Sequence, residues 1–266
     1  IIRWLRSNDG VGLWLLGDEF QHYGKHPQPF FSLAGNYRQT LTHSYRCGRD
    51  SEDLVNPLLE RHPANEQAGV TFEGHPNDAF RVRRFGRNVT PPDNTVVVCA
   101  NEADCLEYVF RLRHEGVSLA LLGLTQHDIP AYLRGLVGLY VHGKRARTAS
   151  LWRYTSWDQL MASHPHSTAL TRIQDMLARG FGDADCERVC AEITDPRSKP
   201  SVCLALPSSI KNSQFPRVQL SRALLHGTGN ESAKAQLLSQ IYTAQTRATG
   251  ELIVPGEYRD WIQQIT

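Results

Sequence analysis

No stretch of this 266-residue chain comes near the roughly 20 consecutive apolar residues that a membrane-spanning helix needs, so no membrane partner is expected. Nothing at its start combines a basic segment, a short apolar core and a small-residue cleavage site, as a secretory signal would. No initiator methionine opens it, and Ile1-Ile-Arg-Trp-Leu-Arg6 reads as the middle of an uncapped helix, so a piece of a longer protein is expected. No pair among the six cysteines (Cys47, Cys99, Cys105, Cys186, Cys190 and Cys203) has C-x-x-C spacing. Cys186 and Cys190 stand four apart on an expected helix, as half of a metal site would, but a second half is missing. The reading is core thiols in a reducing, intracellular compartment. Excess charge is missing too: 29 Lys and Arg against 27 Asp and Glu leave +2, so any contact with nucleic acid must be local. The histidines at 22, 43, 127, 164 and 166 form no metal spacing, and repeats and low-complexity tracts are absent.

What is present suits one or two globular domains: 41% of residues are hydrophobic and 21% charged. Residues 11–17 form an unbroken apolar run ending in Gly17-Asp18, the pattern of a buried parallel strand that delivers polar residues to a site. Residues 40–46 alternate and are β-prone, a helix is expected at 51–61, and 62–78 reads as loop and short strand. Residues 80–85 alternate apolar and basic side chains. A buried strand at 95–99, a helix at 101–113 stopped by Gly116 and a strand at 117–122 give a β-α-β order, which predicts a parallel sheet with crossover helices. From 125 to 199 apolar residues recur at helical spacing (Tyr132, Leu133, Leu136, Val137 and Tyr140, for example), so a small helical insertion is expected, with Gly143-Lys-Arg-Ala-Arg147 as an exposed basic turn. The β pattern resumes at 201–206.

Four segments bring polar chemistry to the ends of these elements. Leu15-Leu-Gly-Asp-Glu-Phe-Gln-His-Tyr23 offers Gln21, whose neutral amide can hydrogen-bond a phosphate oxygen or an attacking water without adding negative charge. Leu41-Thr-His-Ser-Tyr-Arg46 ends in a guanidinium, a planar fork for phosphate oxygens. Leu206-Pro-Ser-Ser-Ile-Lys-Asn-Ser-Gln-Phe-Pro-Arg-Val218 gathers hydroxyls and backbone N–H groups suited to nucleic-acid phosphates. Ser239-Gln-Ile-Tyr-Thr-Ala-Gln-Thr-Arg-Ala248 reads as a short helix running into a strand at 252–254, with Arg247 placed to reach across a cleft. Singly, each has a plainer reading as a polar loop, an edge strand or an amphipathic helix with a surface arginine.

In order, the four resemble motifs of UvrD/Rep-like superfamily 1 helicases. The first matches motif III, Val-Gly-Asp-Asp-Asp-Gln-Ser-Ile-Tyr, at Gly17, Asp18 and Gln21. The second matches motif IV, Leu-x-x-Asn-Tyr-Arg-Ser, at Tyr45 and Arg46, with Ser44 and Cys47 as departures. The third matches motif V, His-Ser-Ser-Lys-Gly-Leu-Glu-Phe-Pro-Val-Val, at Lys211, Phe215, Pro216 and Val218. There Asn212 replaces the usual Gly, and Gln214 replaces the Glu that contacts ribose or couples nucleotide to DNA; Gln214 can keep a hydrogen bond but no charge. The fourth matches the last conserved motif, Leu-Tyr-Val-Ala-Leu-Thr-Arg-Ala, at Tyr242, Ala244, Thr246, Arg247 and Ala248. The resemblance implies an α/β fold, a RecA-like parallel sheet with flanking helices of the P-loop NTPase type. It implies catalytic roles for Gln21, Arg46 and Arg247, the last as arginine finger. It implies nucleotide contacts by Tyr45, on the adenine, and Gln214, and DNA contacts by Tyr23, Ser208, Ser209 and Lys211. ATP and Mg2+ are the implied cofactors.

No G-x-x-x-x-G-K-[ST] loop occurs, and no acidic pair for Mg2+ precedes motif III. In the family both lie upstream, which implies a division into 1–35, the end of a first RecA-like domain; 36–124, the first part of a second; 125–199, a shortened 2B-like insertion; and 200–266, the rest of the second. The expected function is the C-terminal half of an ATP-dependent DNA helicase or translocase, inactive as an ATPase without its N-terminal half, which would hold most of the Mg2+; polarity stays open, although the resemblance suggests 3′ to 5′. Its partners would be that half and single-stranded DNA or a duplex junction, in a prokaryotic cytoplasm. The alternative is a degenerate helicase-derived module that binds nucleic acid or a protein without ATP coupling. An unrelated doubly wound enzyme would need G-x-G-x-x-G or G-x-S-x-G, and neither occurs.

Overall fold

A computed structural model describes residues 18–21, 40–76, 79–86, 89–193, 195–226 and 231–265. In chain order the regular elements are β1 (His43–Gly48), α1 (Glu52–Glu60), α2 (Asn65–Ala68), β2 (Glu73–His75), β3 (Arg81–Phe85), β4 (Thr95–Val98), α3 (Glu102–His114), β5 (Leu119–Leu121), α4 (Thr125–Val141), α5 (Trp157–Ser163), α6 (Thr168–Ala178), α7 (Asp183–Glu192), β6 (Val202–Ala205), β7 (Phe215–Leu220), α8 (Glu231–Gln245), β8 (Ala248–Pro255) and α9 (Tyr258–Gln264). Single 3-10 turns lie at Glu19–Gln21, Arg49–Ser51, Pro196–Ser198, Pro207–Ile210 and Arg222–His226.

Six strands form one sheet in the order β3-β8-β7-β4-β6-β5, and every pair in it is parallel. β1 and β2 pair, also in parallel, as a separate two-stranded ribbon. The run of valines in β4 is explained by burial on both faces. Val97 turns to the face covered by α3 to α7, and Val96 and Val98 turn to the face covered by α1, α8 and α9. Parallel strands send all their C-terminal ends to one edge, and the loops there are where α/β sheets hold ligands.

Local chemistry sets the helix ends. Asn101, Ser156 and Ser167 cap α3, α5 and α6 by accepting the N–H of Asp104, Gln159 and Leu170 at 3.0, 3.2 and 3.2 Å. α3 stops where expected: Gly116 takes φ +70°, its N–H meets Arg113 O at 3.1 Å, and the next N–H meets Leu112 O at 2.9 Å. That pair of bonds is a Schellman closure, which favours glycine.

Among the described residues from 125 to 199 every regular element is helical. These helices share a single core with β4, β5 and β6, in which Leu136, Leu151, Ile173 and Val189 join Val97, Leu121 and Leu204. Several elements go beyond the expectations. β1 joins β2 and leaves the main sheet. The one-turn helix α2 occupies part of the stretch read as loop, and α9 and the strand character of β7 carry no alternating pattern that marks them. α8 begins at Glu231, well before the expected short helix. The expected strand at 11–17 lies outside the described residues.

Candidate functional site

The 3-10 turn carrying Gln21 is pinned by its own side chains. Asp18 Oδ1 accepts the Phe20 N–H at 3.0 Å, and Gln21 Nε2 donates to Asp18 Oδ2 at 2.6 Å. Phe20 is buried, edge-on to His62 at 5.3 Å and to Tyr242 of α8 at 5.6 Å between ring centroids. His62 is buried as well; its Nδ1 accepts the Ala64 N–H at 3.2 Å, so its proton sits on Nε2, 2.9 Å from Ser239 Oγ. The ring therefore donates to the serine, the reverse of a base activating a nucleophile. Tyr242 hydrogen-bonds the Asp18 side chain, and burial followed by the Asp18 charge pushes its phenol well above the ordinary range.

Two more segments reach this turn. Lys211, just past the 3-10 turn Pro207–Ile210, donates from Nζ to Gln21 O at 2.8 Å across 190 residues of sequence. Burial draws its pKa down, and the Asp18 charge partly offsets this. From the ribbon, Arg46 Nη1 donates to Thr246 O at 2.6 Å, across 200 residues. Its neighbour Cys47 is buried with Sγ 3.6 Å from Ala248 O; burial raises that thiol, while the Ser44 hydrogen bond and the charges of Arg46 and Arg247 pull the other way.

Arg247, between α8 and β8, is 5% exposed. Its Nε donates to Thr243 O at 3.2 Å and its Nη2 to Thr246 Oγ1 at 3.1 Å. Burial lowers its pKa first and the Arg46 charge second, with Asp18 opposing. The Arg46 guanidinium thus lies close enough to act on that of Arg247, and the carboxylate that acts on Arg247, among the described residues, is Asp18. Arg46 Nε is buried and without a hydrogen-bond partner among the described residues. Concentrated positive charge with an unmet buried donor is suited to an anion with several oxygens, such as a phosphate.

The remaining expected residues fall elsewhere. Tyr45 is 83% exposed on the ribbon, its ring 5.0 Å from that of His43 and 6.0 Å from that of His75. Gln214 is exposed ahead of β7. Asn212 takes φ +64°, the left-handed backbone that favours glycine and that asparagine tolerates. Ser208 is exposed, and Ser209 Oγ accepts the Thr125 hydroxyl at 2.9 Å; both lie past the C-terminal end of β6, on the ligand-holding edge. Tyr23 lies outside the described residues. Sequence reasoning missed Asp18 as the ionic partner of the cluster and Phe20 as its anchor; the Gly-Asp match located Asp18, but no pattern told that Tyr242 would bond it. The segment Gly138 to Arg145 comes within one residue of a phosphate-loop pattern, but it lies at the C-terminal end of α4, whose dipole repels phosphate.

No known protein family matches the chain, and no curated protein matches it in sequence. Among solved structures it is similar to the C-terminal domain of a possible DNA helicase from Lactobacillus plantarum WCFS1. That alignment has 13% identity and a TM-score of 0.25 and covers 84% of this chain and 95% of the other, a likeness too loose to bear on function.

Proposed function

We propose that the chain is the C-terminal half of an ATP-dependent superfamily 1 DNA helicase or translocase. The observation that supports this reading is convergence. Segments around residues 18–21, 46, 211 and 242–247 meet through Lys211 to Gln21, Arg46 to Thr246 and Tyr242 to Asp18. Independent surface arginines and polar loops would have no reason to gather. The residues fit a triphosphate: Arg46 and Arg247 present positive charge, Gln21 a neutral amide, and Tyr45 an exposed ring for a base. ATP bound there with Mg2+ would supply the γ-phosphoryl group for transfer to water; the phosphate loop and most of the Mg2+ ligands would belong to an N-terminal half. Arg46 and Arg247 would steady charge on the phosphoryl oxygens and Gln21 would orient the attacking water. Ser208, Ser209 and Lys211, along the edge past β6, would hold the single strand by its phosphates.

Arg247 is turned inward onto Thr243 O and Thr246 Oγ1. To act as a finger it must exchange those bonds for a phosphate when the two halves close. The same inward bonding favours a second reading, a module that binds nucleic acid without turning over ATP. ATPase activity of the protein joined to its phosphate-loop half, measured with and without single-stranded DNA, separates the two. The helicase reading expects DNA-stimulated turnover that falls about 10³- to 10⁵-fold in Arg247→Ala. Absence of stimulated turnover in the unaltered protein would establish the second reading.

A further inference from the structure

Away from that cluster, a cleft of about 360 Å3 opens between the start of α3, the turn after α4 and the helices α5 and α6. Asn101, Glu102, Tyr132, Trp152, Arg153 and His164 line it. Trp152 is 57% exposed, although its neighbour Leu151 is 1% exposed and Tyr154 is 3% exposed. The backbone is held firmly on both sides of the ring. Gly135 of α4 lets this turn pack closely, since a Cβ there would meet Leu151 at 2.9 Å and Ala146 at 3.1 Å. An indole fixed outward between buried anchors leaves apolar surface exposed. Arg145 lies over it, 5.6 Å from the ring centroid, with Nε donating to Trp152 O. Lys144, Arg147 and Arg153 are exposed nearby in sequence. The one acidic lining group, Glu102, accepts the Ser150 hydroxyl at 2.8 Å.

We infer that this cleft is a single-stranded nucleic-acid subsite in which Trp152 stacks on a base and the surrounding arginines and Lys144 hold the flanking phosphates. An exposed aromatic with basic side chains beside it is a combination that binds unpaired strands, because every base has a π-face and every nucleotide a phosphate. An acidic peptide would use the basic groups but leave the indole face uncovered. The Glu102 carboxylate disfavours a phosphate deep in the cleft and offers an acceptor to an amino-bearing base edge. Position agrees: Asn101 and Glu102 follow the C-terminal end of β4, and Ser208 and Ser209 follow that of β6, its hydrogen-bonded neighbour. The subsite would therefore extend the strand path of the proposed function sideways onto the helical region, and it rests on that reading.

The test is equilibrium binding of short oligodeoxycytidylate to the whole chain by fluorescence anisotropy, across a salt series. Trp152→Ala should weaken binding roughly 5- to 150-fold, the loss of one stacked base, with the salt slope unchanged. Trp152→Phe should keep most of the affinity, and Arg145→Ala or Arg153→Ala should lessen the salt slope. An unchanged thermal midpoint checks that the exposed Trp152 was not holding the fold. Wild-type affinity in Trp152→Ala, together with weakened binding in Lys211→Ala, would overturn the subsite and leave the strand path at the sheet edge standing. Failure of the unaltered chain to bind the oligonucleotide would overturn both. Displacement of the oligonucleotide by polyglutamate, equally in the wild type and in Trp152→Ala, would assign the basic surface to an acidic protein partner and overturn the subsite.

Discussion

His62 and Asp104 are buried titratable side chains displaced in opposite directions. Burial lowers His62 to about 4. Burial raises Asp104 to about 6, opposed by the nearby Ser221 hydroxyl, by the hydrogen bond from the Ala100 N–H and by the Arg111 charge. His62 takes up protons more readily in the unfolded chain, so its stability contribution is intact above about pH 6.5 and is lost as pH falls toward 4. Asp104 takes up its proton more readily in the folded chain, so acidification from about 6 to 3.8 strengthens the fold. Each displacement is worth about 3 kcal/mol at full extent, and over most of the window they cancel. Relative to the wild type, denaturant titrations of Asp104→Asn should lose stability between pH 6 and 4, and those of His62→Gln should gain it; parallel profiles for all three proteins would refute the assignment. At this scale the sequence was informative where a residue type announces its chemistry. Gln21, Arg46, Lys211 and Arg247 were singled out by pattern, and the structure brings their segments together. Asp18, Phe20 and Tyr242 form their contacts across more than 200 positions, and no local spacing encodes such a meeting.

Elements were legible in proportion to how far local pattern decides them. β4 could be read from consecutive valines and α3 from an apolar stripe with an asparagine before it and a glycine after it. β1 was read correctly as β-prone, but its partner was not, because pairing with β2 depends on tertiary packing and not on alternation. The loops at the ligand-holding edge were invisible as a unit. There Gly123, ahead of α4, takes φ +57°, and a Cβ on it would meet Ser209 O at 3.2 Å. Gly69, after α2, has φ +56° with nothing within 4 Å. Alanine at either position carries the left-handed backbone cost of about 1–2 kcal/mol, and at Gly123 it also presses on the segment that holds Ser208 and Ser209. Gly123→Ala should therefore lower the denaturation midpoint further than Gly69→Ala and weaken single-strand binding, whereas Gly69→Ala should leave binding alone. Equal effects of the two on midpoint and binding would show that the contact with Ser209 is immaterial.

Over the whole molecule, the sheet divides two cores that share its strands. Residues from the helical region and from β4 to β6 make one, and α1, α8 and α9 with β7 and β8 contribute to the other. Leu136 and Leu238 are fully buried in the first and the second, respectively. Either one changed to alanine should cost about 2–5 kcal/mol. Because both cores rest on the same strands, each variant should shift a single unfolding transition in calorimetry. A separate early transition in Leu136→Ala would instead make residues 125–199 an independent unit, the division suggested by the change of pattern near 125. Helical character there was legible; fusion with the sheet was not, because burial of Leu136 and Leu151 looks the same in sequence whichever apolar surface covers them. The sheet also has two rims. β5 is three residues long and buried, and β3, which among the described residues pairs with β8 alone, carries Arg81, Arg83 and Arg84 exposed. A strand arriving from a neighbouring molecule would have to settle against those guanidiniums and desolvate them, so the basic residues that interrupt the apolar pattern of β3 also guard the open rim against runaway stacking of one molecule on the next.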